Sequence, residues 1–118
     1  MNPLKITTRD ASTGPVLEIS GDLDYATAGR LRAVVTTLVL RRGQRLVLDL
    51  TGMECCDSSG ITALLAARHH ALVAHAGIEL AGVPPRTLRV LRVVGLDQVF
   101  PIRPDPPAPR DPGRRGAH

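Results

Sequence analysis

The chain has 118 residues, enough for one compact domain with a single core and too few for two ordinary ones. Hydrophobic residues make up 43% and charged residues 22%, a globular balance, and the apolar runs fall far short of the ~20 residues that a membrane span needs. The net charge of +4 is spread as +2 over residues 1–102 and +2 over 103–118, and one Tyr, one Phe and no Trp offer little for base stacking, so nucleic acid is excluded as an expected partner.

The opening "MNPLKITTRD" has no apolar stretch behind a basic one, so a cytoplasmic protein without a secretory leader is expected. "KITTR" and "PVLEISG" are β-leaning runs joined by the turn-rich Asp10 to Gly14, which predicts a hairpin. Leu31, Val34, Val35 and Leu38 follow at i, i+3, i+4 and i+7, an amphipathic helix with Asp24 as a cap at its entry and Arg41, Arg42 and Gly43 as its stop. "RLVLDL" is short and nearly all apolar, as in a central strand buried on both faces. A second helix is expected from Ser58 to Ala76 with Ile61, Leu64, Leu65 and Leu72 on its buried face. "GIELAGV" reads as a strand with Ile78, Leu80 and Val83 inward, and "PPRTLRVLRVVG" as a third helix with Leu88, Leu91 and Val94 inward. A short extended piece is expected near Gln98 to Phe100.

The order β-β-α-β-α-β-α defines an α/β class: a small mixed sheet of four to five strands with three or more helices on one face, joined by right-handed crossovers. The domain is expected to span residues 1–103. Residues 104–118, rich in proline and arginine with little to bury, are expected to form a disordered tail.

Residues 54–65, "ECCDSSGITALL", carry the chemistry. A nucleophilic serine is disfavoured because the flanks of Ser58 lack the G-x-S-x-G turn, so no catalytic residue is assigned. Cys55 and Cys56 lack C-x-x-C spacing and are expected to be small buried side chains. His69 and His70 diverge by about 100° on a helix, and His75 does not complete a metal site with them. No metal or cofactor is therefore expected. Two readings remain: Asp57 and Ser58 as a helix cap, or a hydroxyl at the positive end of a helix where an added phosphate would switch binding.

"LVLDLTGMECCDSSGITALLAARHHA" resembles the signature of the STAS domain, the family of anti-sigma factor antagonists. "LEISGDLDYATAGRLR" resembles that family's second strand, G-[DE]-L-D turn and first helix, and "GLDQVFPI" its last segment, so the likeness covers about residues 4–103. It implies a regulatory binding protein, not an enzyme, whose partner is an anti-sigma factor with a serine kinase fold. That partner phosphorylates the D-S-[ST]-G loop, a PP2C-type phosphatase reverses the step, and sigma-factor-dependent transcription is regulated in consequence. Carried onto this chain, the resemblance implies Ser58 as acceptor with Ser59 as the less favoured one. It gives Asp57 the shaping of the loop, Gly60 the close approach, and Asp22 and Asp24 places on the partner-facing surface. From the residues themselves Asp22 reads equally as a turn residue and Asp24 as a helix cap. The family usually has an aromatic or aliphatic residue near Cys55 and Cys56, so looser packing is expected there. Arg86, Arg89 and Arg92 read as a solvated edge, with partner docking as the second reading. A monomer with no membrane contact is expected; the alternatives are a STAS subunit of a membrane transporter complex and a signalling scaffold whose loop is only structural.

Overall fold

A computed structural model describes residues 2–108, so the expectation for 109–118 lies outside the described residues. The elements are β1 (Lys5–Ala11), β2 (Gly14–Leu23), α1 (Ala28–Thr37), β3 (Arg45–Cys56), α2 (Ser58–Val73), β4 (Gly77–Ala81), α3 (Pro85–Val93), a 3-10 turn (Leu96–Gln98) and β5 (Ile102–Arg103). They form one five-stranded sheet in the order β1-β2-β3-β4-β5. β1 and β2 are an antiparallel hairpin, and every later pair is parallel. The chain is thus the α/β domain with a mixed sheet and three helices that the pattern predicts.

Leu46 to Leu50 of β3 are buried without interruption, and Leu46, Leu48 and Leu50 face the helical layer. Leu17, Ile19, Ile78 and Leu80 from the neighbouring strands join them, and Leu31, Val35, Leu64 and Leu91 close the core from all three helices. The opposite face holds a smaller cluster of Ala11, Val16, Val47 and Ala81. Around it Arg9 pairs with Glu18 at 2.8 Å, and Glu79 pairs with Arg45 at 2.9 Å. Arg9 also donates through Nη2 to the Pro107 carbonyl at 2.7 Å, which brings the first residues past β5 back to β1.

Several sequence expectations need correction. β3 runs 12 residues, because pairing with β2 continues to Asp22↔Cys55 and Leu23↔Cys56 well past the apolar run. α1 stops at Thr37, and Leu38 turns extended (φ −77°, ψ 134°), packing on the core from the loop instead of from the helix. The buried face of α2 consists of Gly60, Ala63, Leu64, Ala67 and Ala71, while Leu72 is 47% exposed. Small side chains let that helix lie close to its neighbours, which rotates the larger ones to its flanks. α3 buries Thr87 and Leu91 and leaves Val94 outward. The extended piece expected at 98–100 is the 3-10 turn, which drops Phe100 into the core, and the strand pairing comes later, at Leu80↔Ile102.

The buried core runs from Leu4 to Phe100, so its truncation and that of the tail should differ in scale. Leu48→Ala should lower the unfolding free energy by about 2–5 kcal/mol through transfer and cavity terms. Removing residues 104–118 takes away the hydrogen bond from Arg9 to the Pro107 carbonyl and should cost about 1–3 kcal/mol on that account, with a single cooperative transition retained. Urea melts of both variants check the contrast.

Candidate functional site

β2 and β3 run parallel and end together, and the chain leaves each of them into a helix. The carboxyl ends of parallel strands, where helix N-termini converge, are where such sheets usually place their functional groups. Asp57 joins the two exits. Its backbone is extended (φ −97°, ψ −171°), and its Oδ1 accepts from Gly60 N at 3.0 Å, which makes it the N-cap of α2. Its Oδ2 accepts from Tyr25 N in the β2–α1 turn at 3.2 Å, and its own N–H donates to Leu23 O at 3.3 Å. A single carboxylate therefore satisfies a helix-terminal amide and locks the neighbouring turn.

Ser58 is the first residue of α2 and is exposed, while Ser59 is half-buried. The cap is thus Asp57, and Ser58 offers its side chain to solvent at the positive end of the helix. Gly60 is required for close approach: a Cβ there would lie 2.6 Å from Leu23 O and 2.7 Å from Cys56 Sγ.

Asp24 is not the cap of α1, since that position belongs to Thr27. It instead builds the preceding turn: Oδ1 accepts from Ala26 N at 3.0 Å and Thr27 N at 3.2 Å, and Asp24 N donates to Thr27 Oγ1 at 2.9 Å. This turn touches the Asp57 group through Tyr25. Asp22 faces elsewhere. Its Oδ2 accepts from Asn2 N at 3.1 Å and its N–H donates to Asn2 O at 2.9 Å, so it fastens the N-terminal segment to the end of β2.

Sequence reasoning missed part of this surface. Tyr25, 87% exposed, projects from the turn that Asp57 holds. Beside Ser58 opens a cleft of about 510 Å³, lined by Cys56 and Ile61 on one side and Val90, Val94 and Leu96 on the other. Val90 and Val94 are four residues apart on one side of the α3 region, and their exposure, 42% and 58%, comes from packing that the sequence pattern does not mark.

Cys55 is exposed, contrary to the expected burial of both cysteines, because β3 continues to the sheet's rim and adjacent strand residues point to opposite faces. Burial pushes the Cys56 thiol up from its ordinary 9.0 to about 12, with the Asp57 carboxylate and Cys55 adding to the effect, so it stays protonated at neutral pH. His70 sits against the Leu38 carbonyl at 3.2 Å and His69 is exposed. Among the described residues, no three His, Cys, Asp or Glu side chains gather as a metal site, and no helix is long and apolar enough to cross a membrane.

The family described as "Mlab, STAS domain" matches residues 6–104. An anti-sigma F factor antagonist of Paenibacillus polymyxa is 31% identical over 90 residues, 74% of this chain and 75% of the relative. The anti-sigma-F factor antagonist RsfB of Mycobacterium tuberculosis is 28% identical over 97 residues, 82% of this chain and 79% of its own. The crystal structure of an anti-sigma factor antagonist from Mycobacterium paratuberculosis superposes with a TM-score of 0.75 at 28% identity, covering 86% of both chains. The β-β-α-β-α-β-α order, the D-S-S-G helix start and these matches define the class, a small α/β domain of the STAS type. The chain belongs to the STAS domain family.

Three outcomes follow from this geometry. Gly60→Ala should destabilise by about 1–3 kcal/mol, since its Cβ meets backbone, and Asp57→Ala by about 0.5–2 kcal/mol through loss of the cap, both read by thermal melting. Between pH 9 and 12 the unfolded chain releases the Cys56 proton while the folded chain keeps it, so stability falls as pH rises. The slope should be steeper in the native sequence than in Cys56→Ala, measured by urea melts across that range.

Proposed function

We propose that this protein is an anti-sigma factor antagonist, a binding regulator and not an enzyme, whose hold on its partner is ended by phosphorylation of Ser58. The observation that carries the reading is the division of roles at the start of α2: Asp57 caps the helix and Ser58 stands exposed one residue later. The names of the relatives above support the partner's class. The partner is an anti-sigma factor with a serine kinase fold that phosphorylates Ser58, and a PP2C-type phosphatase restores the hydroxyl. Ser59 is the poorer acceptor because it is half-buried. Asp57, Ser58, Ser59 and Gly60 form the centre of the binding face, with the Asp24 turn beside it and Asp22 bracing the strand end behind. The setting is the cytoplasm, and the antagonist is a monomer when free. Residues 1–103 are the working domain, and 104–118 a Pro/Arg-rich extension that the switch does not require.

The physics of the switch is local. A phosphate adds about −1.5 to −2 charges beside the Asp57 carboxylate. The helix dipole and free amides of α2 moderate that charge within the protein. A partner shaped to a neutral hydroxyl must instead desolvate the dianion unpaired, at several kcal/mol. Sigma-factor-dependent transcription is regulated because the anti-sigma factor is held only while Ser58 is unmodified.

The test uses the native protein, Ser58→Ala and Ser58→Asp as baits in native extract, with retained proteins and phosphosites identified by mass spectrometry. The native protein and Ser58→Ala should retain a kinase-fold anti-sigma factor, phosphate should map to Ser58, and Ser58→Asp should bind at least about 100-fold more weakly. Equal retention by all three baits without phosphate would overturn the proposal.

A further inference from the structure

We infer that residues 104–108 form a removable strap over the open face of the sheet, clasped by Arg9, and that lifting it frees this face to pair with a second copy of the chain. The face lies on the side of the sheet away from the helices, and the inference does not depend on the Ser58 reading.

The helices pack on one side of the sheet, yet on the other side Val16, Val47 and Ala81 are fully buried and Ala11 is nearly so. Residues two apart on a strand share a face, so Arg9, Glu18, Arg45 and Glu79 flank this cluster. Their paired side chains cover part of it with their apolar stems. The chain beyond β5 covers more: Pro106 and Pro107 are half-buried, and the Pro107 carbonyl accepts from Arg9 Nη2 at 2.7 Å. Reach fixes the path. Arg103 on β5 and Arg9 on β1 stand at opposite edges of the sheet, four strand spacings or about 19 Å apart. The chain from 103 to 107 spans at most about 14 Å. Arg9 closes the difference by leaning inward over β2, where its Nε donates to Glu18 Oε2 at 2.8 Å. The segment therefore crosses the face directly.

The cover is weakly held. Pro104, Pro106 and Pro107 have no N–H, so the segment cannot pair with the sheet as a strand. Among the described residues, the hydrogen bond from Arg9 is the one that holds 104–108. Closure also leaves Arg9 Nη1 buried without an acceptor among the described residues, a donor that water satisfies once the strap lifts. That unmet donor offsets the clasp and brings the closed and open forms near balance.

What lies beneath fits a second copy. Arg9, Arg45 and Arg103 interleave with Glu18 and Glu79, and Lys5 and Asp49 border the hollow beside Glu18. Both signs alternate across the face, so a partner of one sign is repelled over half of it, whereas a copy turned about a two-fold axis can set bases against acids. The apolar centre is built from Ala and Val alone, which suits two sheets stacking about 10 Å apart. A closed strap occupies that gap.

The test is sedimentation of the full chain over about a hundredfold range of concentration, comparing the native protein with Arg9→Met and with the pair Pro106→Gly and Pro107→Gly. Arg9→Met keeps an apolar stem and removes the clasp; the glycine pair keeps every charge and loosens the strap. Arg42→Met, at an exposed arginine of the α1–β3 connection, is the control. Both strap variants should dimerise at least about tenfold more tightly than the native chain, since apparent affinity scales with the open fraction. Arg42→Met should match the native chain. Thr7→Arg, at an exposed position of the open face, should return the glycine pair to native behaviour. Association no tighter than native in both strap variants overturns the proposal, as does a dimer that Arg42→Met forms equally or that Thr7→Arg leaves intact. If Arg9→Met fails to melt cooperatively, the glycine pair, which leaves β1 unchanged, decides.

Discussion

The burial of β3 constrains everything else. Five consecutive residues of this strand, Leu46 to Leu50, are removed from water on both faces, so it needs a strand on each side and cover above and below. β2 and β4 supply the first, and both lie parallel to it. Parallel neighbours can be reached only by crossovers, and crossovers of one hand put α1, α2 and α3 on the same face. The helices then start at the carboxyl ends of the strands. The candidate site is therefore a consequence of how the central strand is covered, because the starts of two helices are bound to meet where β2 and β3 end.

At that meeting point one carboxylate holds two elements. Without Asp57 the start of α2 would have an unsatisfied amide at Gly60 and the β2–α1 turn would lose its tie at Tyr25. Gly60 allows the tie to form by admitting the Leu23 backbone within a distance that any Cβ would forbid. Asp24 performs a parallel task on its own turn through Ala26 and Thr27. The acidic residues near the motif thus have distinct structural duties, and a binding role for Asp57 is superimposed on a necessary fold role.

Much of this was legible in the sequence, and the gaps have physical causes. An apolar run marks a strand while its side chains are buried, so "RLVLDL" was readable as a strand and "TGMECC" was not, since pairing with β2 and the single buried side chain of Met53 hold most of that half. Hydrophobic periodicity weights large side chains, and so it chose Leu72 for the buried face of α2, where alanines gain more by close approach. Asp24 has the composition of a cap in either position, and only coordinates distinguish a turn three residues before Thr27 from the cap itself. D-S-S-G was legible as a helix start, but which residue caps it depended on which oxygen reaches Gly60 N. Val90, Val94 and Tyr25 carried no functional mark, because an apolar residue in a sequence is first read as core, and exposure is decided by tertiary packing.

The assignment of the cap bears on what kind of switch this is. Had the Ser58 hydroxyl capped α2, esterifying it would exchange a structural acceptor for a bulky dianion, and modification would act on the stability of the helix. With Asp57 as the cap, the amide of Gly60 keeps its partner whether or not Ser58 carries a phosphate. Ser58 belongs to the first turn, where negative charge is tolerated by the helix dipole. On the proposed reading the modified and unmodified proteins therefore share one fold and differ in surface charge at the rim of the cleft. Such a switch acts through the free energy of the complex alone, and it can be reset by a phosphatase without the domain having to refold.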